Sequence, residues 1–97
     1  MGRMGTSERD AEVEEGAIYV TLKARTTGHF LRRLEERGGD AERLVWEGDS
    51  LAAAGWLTPI HRRDYKFVVP RFGQIRLRLD RRGRGFVAVT FLPVVAG

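Results

Sequence analysis

Cysteine is absent from the chain, and with it go disulfides, thiolate nucleophiles and cysteine-held metals. Small secreted domains commonly rely on disulfide staples, so the lack points to the cytoplasm. Long apolar runs are missing too: no stretch reaches the roughly 18 residues that a membrane-spanning helix needs. Residues 1–16 contain no apolar segment of the signal-peptide kind and are rich in acids. Asparagine does not occur, glutamine occurs once (Gln74), and lysine is rare beside arginine, 2 against 15. Scarce amides with abundant Arg and Glu fit a thermophile. A GC-rich codon bias gives the same pattern.

The residues of nucleophilic and metal chemistry are equally thin. Ser7 and Ser50 are the only serines, Ser50 sits where a helix cap explains it, and no Gly-x-Ser-x-Gly occurs. His29 and His61 are the only histidines, and their spacing is that of no common metal site. Glu14-Glu15 and Glu35-Glu36 are adjacent pairs, whose side chains diverge on a helix, so neither makes an acid–base dyad. Gly83-x-Gly85 falls in a hairpin turn, away from the strand-to-helix junction that a phosphate cradle needs. We therefore expect no catalytic residue, no metal and no cofactor.

What the chain does have is charge, unevenly spread. Its 97 residues suit one domain. Residues 1–16 sum to −3, residues 17–59 to zero and residues 60–97 to +7. Val13 is the one aliphatic residue of the first stretch apart from alanine and methionine, so residues 1–16 read as an acidic arm, disordered or loosely docked. Residues 17–97 read as the domain.

Along that domain, residues 17–24 alternate as a half-buried strand, with Ile18, Val20 and Leu22 facing one way and Tyr19, Thr21 and Lys23 the other. Thr26 and Thr27 offer an N-cap for a helix over residues 28–37, whose apolar stripe is Phe30, Leu31 and Leu34 and which Gly38-Gly39 ends. Residues 40–57 are ambiguous. Asp40 suits the cap of a second helix over 41–47, or residues 43–47 form a short strand; the three alanines of residues 51–57 favour helix, against Gly55. Three strands follow. Tyr65, Phe67 and Val69 share one face, then Ile75, Leu77 and Leu79, and a turn at Asp80-Arg81-Arg82-Gly83 leads to residues 86–92. That last strand is apolar on both faces, which marks it as central or as the contact of a homodimer. The order β-α-(α)-β-β-β predicts an α+β fold: a two-layer sandwich of one or two helices on a mostly antiparallel sheet of about four strands.

The cations gather on the strands of the second half. Arg62, Arg63, Lys66, Arg71, Arg76, Arg78, Arg81, Arg82 and Arg84 stand against Asp64 and Asp80. Arg76 and Arg78, two residues apart, share one strand face. Tyr65 and Phe72 lie among them, and an aromatic beside guanidinium groups suits a stacked, unpaired base. No recognition helix for duplex DNA is evident. The pattern predicts a non-catalytic domain that binds RNA or single-stranded nucleic acid through its backbone. A solvated, edge-protecting arginine face explains the same residues without a ligand.

Two other readings remain. One is a self-associating structural or adaptor domain, paired through residues 86–92 and the Pro93-Val94-Val95 tail. The other rests on element order, which resembles that of small bacterial endoribonuclease toxins of the RelE type. The resemblance implies sheet-borne RNA cleavage, with Arg62, Lys66, Arg76, Arg78 and Tyr65 as the candidates.

Overall fold

A computed structural model describes residues 16–93. The acidic arm, except for Gly16, lies outside the described residues, and so do Val94 and Val95. The first strand, β1 (Ile18–Thr26), follows the alternation of its sequence: Val20 and Leu22 pack against the core and Ala24 is fully inside it. Thr27 then caps helix α1 (Gly28–Glu36), its hydroxyl accepting the Phe30 N–H at 3.0 Å. Phe30 and Leu34, one turn apart, are buried, whereas Leu31 stays exposed, so the apolar stripe is narrower than expected. The helix closes on Gly38, at φ 74°, with the Gly39 N–H donating to the Leu34 carbonyl and the Gly38 N–H to that of Glu35. This is a Schellman end, which needs a left-handed residue where Gly38 stands.

Beyond it, the ambiguous middle resolves as strand. Asp40 caps only a single 3-10 turn (Ala41–Arg43), and β2 (Val45–Glu47) turns through Gly48-Asp49 into β3 (Ser50–His61). The helix expected over residues 51–57 is therefore absent; those residues are the heart of the longest strand. Alanine's helical preference amounts to well under ~1 kcal/mol per residue. Here it competes with hydrogen-bonded strands along both edges of β3 and loses. Leu51, Ala53, Gly55 and Leu57 also fall at the two-residue period that turns one face inward.

The rest is β4 (Asp64–Val69), β5 (Gly73–Leu79) and β6 (Phe86–Pro93), joined as hairpins. The α+β class and the mostly antiparallel sheet agree with the sequence reading, but among the described residues six strands replace the expected four or so, and one α-helix packs on them. Nor is the sheet an open layer. Besides its neighbour β6, β1 pairs antiparallel with β3 from Ile18↔Leu57 to Arg25↔Ser50, so β1, β3, β4, β5 and β6 form a closed ring with β2 on an edge of β3. Among the described residues the only parallel pairing, β1 with β6, covers Ala24↔Phe86 to Thr26↔Ala88. Following partners around the ring from Leu51 through Ala24, Phe86, Leu79 and Arg63 returns to β3 beside His61, about ten residues further along. Such a stagger tilts the strands steeply and lets five of them enclose a filled interior. Leu51, Phe67, Ile75, Leu77, Ala88 and Phe91 fill it, and Phe30 and Leu34 of α1 join the same cluster.

The two-sided apolar character of β6 has a local cause. Arg76 pairs with Thr90 but Leu77 with Ala88, so Val89 is an extra residue, a bulge. The alternation slips by one there, and Ala88 and Phe91 both turn inward. β6 is also central at its start, with β5 on one edge and β1 on the other. Past Ala88 the β1 side is taken over by α1: the Thr27 hydroxyl donates to the Ala88 carbonyl at 3.0 Å and Arg37 to that of Phe91 at 2.8 Å. Among the described residues no helix is long and apolar enough to cross a membrane, and no three His, Asp or Glu side chains gather as a metal site would require.

Candidate nucleic-acid interface

Strand alternation decides which side chains reach the outer wall. In β4, Phe67 is fully buried and Tyr65 and Val69 pack on the core, leaving Lys66 and Val68 outward. Register carries that division across the neighbouring strands. One outward row runs Lys66, Arg76, Thr90, with the buried Thr58 at its β3 end; the next, two residues on, runs Asp64, Arg78, Val87, Arg25. Lys66 and Arg76 thus stand directly opposite each other, an arrangement that is repulsive in a sheet. Arg76 is half-buried, and its Nε is shielded from solvent with no hydrogen-bond partner among the described residues.

Arg78 is exposed and donates through Nε to Asp64 at 2.9 Å. That hydrogen bond is the chief reason the Asp64 carboxyl sits below its ordinary range; partial desolvation works against it, and the positive charges nearby add to it. At the far end of β5, Asp80 shapes the turn. Its side chain accepts the Arg82 backbone N–H at 3.0 Å, the largest cause of its lowered pKa, and it binds Arg84 at 3.2 Å and Arg25 at 3.0 Å.

The β3–β4 turn lies against the same end of the ring. The Leu79 N–H donates to the Arg63 carbonyl at 2.8 Å, and the Arg63 guanidinium returns a bond to the Leu79 carbonyl at 3.3 Å. Arg62 heads that turn in the left-handed region, at φ 51°, with its side chain exposed. Arg25, Arg62, Arg63, Arg78, Arg81, Arg82 and Arg84 therefore share one end of the barrel with Asp64 and Asp80. Of these, Arg62, Arg81 and Arg82 are exposed and have no side-chain partner among the described residues.

Not every residue singled out in the sequence joins this end. Arg71, at φ 68°, occupies the β4–β5 turn at the other end of β5. Tyr65 is on the inward face, half-buried, with its ring edge-on to Phe86 at 5.2 Å. Phe72 is buried against Phe91 at 5.0 Å. Neither aromatic is placed to receive a base from the basic wall. Conversely, nothing local in the sequence marks Arg25, which lies 55 positions from Asp80 and meets it only through the closure of the ring. The same holds for an aromatic pair: Tyr19 and Trp56, opposite each other on β1 and β3, face outward with ring centroids 5.1 Å apart. No family model, curated protein or solved structure matches the chain.

Proposed function

We propose that the protein is a small, non-catalytic cytoplasmic domain that binds RNA or single-stranded nucleic acid through the arginine-rich end of its barrel. One observation carries this reading: four separate segments, at Arg25, Arg62-Arg63, Arg78 and residues 81–84, converge on one end, and the two aspartates there leave Arg62, Arg81 and Arg82 without an ion-pair partner among the described residues. Unpaired guanidinium groups held on short turns contact phosphates with little ordering cost. The buried, unbonded Nε of Arg76 in the adjoining row supports the same reading, since an anion would relieve it.

The competing readings have less support. The apolar faces of β6, which suggested a homodimer, are accounted for by the bulge at Val89. A RelE-type nuclease rests on two helices before the sheet and on Tyr65 beside the cations; one α-helix is present among the described residues and Tyr65 faces the core.

The test is binding of an oligonucleotide at a series of salt concentrations. Binding at low salt is expected to weaken steeply as salt rises. Replacing Arg62, Arg81 and Arg82 together by Ala should flatten the slope of log K against log salt by about two, given ~0.7 per phosphate contact on single strands. No binding at low salt, or an unchanged slope in the triple variant, would overturn the assignment.

A further inference from the structure

Tyr19 and Trp56 are an unusual pair to leave on the outside of a barrel. Tyr19 is 54% exposed and Trp56 only partly so, and their rings meet edge to face. The outward row they begin continues through Val68 and Gln74 to Leu92. Two residues further along the same strands comes the row of Lys66 and Arg76, with the buried Thr58 at its β3 end, and beyond it the row of Asp64, Arg78 and Arg25. Outward positions on one strand are about 6.6 Å apart, so a stripe of roughly 20 Å links the aromatic pair to the arginine turns.

We infer that this stripe is a single-strand track, in which Tyr19 and Trp56 form the stacking platform for one base while Lys66, Arg76 and the arginine end follow the phosphates. The inference rests on the nucleic-acid reading above and adds what that reading lacks, a reason for the strand to be single. Paired bases are stacked on each other and have no free face to offer an aromatic; an unpaired base has one, whatever its identity. The apolar rings by themselves would suit a second copy of the chain equally well. The charge decides between them, because a second copy laid along this wall sets one +7 half near another.

The experiment compares three probes of equal charge on the intact chain: an oligothymidylate, an abasic oligonucleotide of the same length, and a duplex. The oligothymidylate is expected to bind at least about five-fold more tightly than the abasic strand, the effect of one stacked base. Trp56→Ala and Tyr19→Ala should each reduce that preference while leaving abasic affinity and the salt slope unchanged, and Trp56→Phe should keep most of it. Circular dichroism melting of each variant checks that the barrel is intact. If oligothymidylate and abasic strand bind alike, or if Trp56→Ala weakens both alike, the platform is wrong although the arginine end still binds. If none of the probes binds at low salt, both proposals fall. A dimer that Tyr19→Ala turns into a monomer, with no change in base preference, assigns the pair to a second copy and overturns the track.

Discussion

Gly55 sits on β3 where the adjoining β4 leaves no room for a side chain. A Cβ there would press on the Val68 carbonyl oxygen and carbon and on the Phe67 ring, and neither backbone nor a fully buried ring yields easily. Gly55→Ala would help a helix, by about 1 kcal/mol. In this strand it is expected instead to destabilise the protein by about 1–3 kcal/mol through overpacking, read as a lower urea midpoint. A variant as stable as the parent would mean that β4 moves aside freely. The same residue shows why the alanine-rich stretch was hard to read. A glycine among alanines is a weak helix and a featureless strand by composition, and only the neighbouring carbonyl reveals its use. At Tyr65 the sequence misled in another way. Alternation put Tyr65 with Phe67 and Val69, correctly, on the inner face, but nearness in sequence to Arg62, Arg63 and Lys66 suggested a shared surface that the pleat forbids.

At the level of elements, local signals are legible in the sequence and pairings between distant elements are not. The threonine cap and double glycine of α1, the alternation of β1, β4 and β5, and the Asp80–Gly83 turn are each specified by residues within a few positions of one another. The bulge in β6 and the joining of β1 to β3 depend on partners elsewhere in the chain, and no local period encodes them. Thr27 serves both kinds of constraint, since its hydroxyl accepts from Phe30 and donates to the Ala88 carbonyl. Thr27→Val keeps the shape and removes both bonds, so it is expected to cost about 1–2 kcal/mol, whereas Thr27→Ser should cost much less. Chemical denaturation of the two variants side by side measures the difference; a Thr27→Ser loss as large as or larger than that of Thr27→Val would overturn the hydroxyl's role.

Over the whole molecule, the ring is closed unevenly. β5 is hydrogen-bonded along both edges, and β1 is zipped to β3 over eight residue pairs, but the β1–β6 seam has only three. A short parallel seam beside long antiparallel ones is the place where opening costs least. Native-state hydrogen exchange is therefore expected to show the seam amides around Arg25 and Val87 exchanging before those of Ile75 and Leu77. Equal protection would mean that the barrel opens only as a unit. The seam also sets the geometry of the candidate site. Arg25 reaches Asp80 because β1 lies beside β6 there, and so the arginine end is complete only in the closed ring. The strand-borne part of that end, Arg76 to Arg84, was legible in sequence because it is contiguous. The contribution of β1 was not, and neither was the Tyr19–Trp56 pair, brought together across 37 positions by register alone.

The upper half of β6 has one further consequence. Residues 89–93 are rich in β-branched and aromatic side chains, and the carbonyls of Ala88 and Phe91 would form an open strand edge without Thr27 and Arg37. α1 therefore acts as a guard against aggregation as well as a packing element. Heat, cleavage or substitution that frays the helix would uncover a sticky edge on an otherwise folded molecule, ready to recruit the same segment of another copy into an intermolecular sheet. Conditions that loosen nine residues of helix would then govern the solubility of the whole chain.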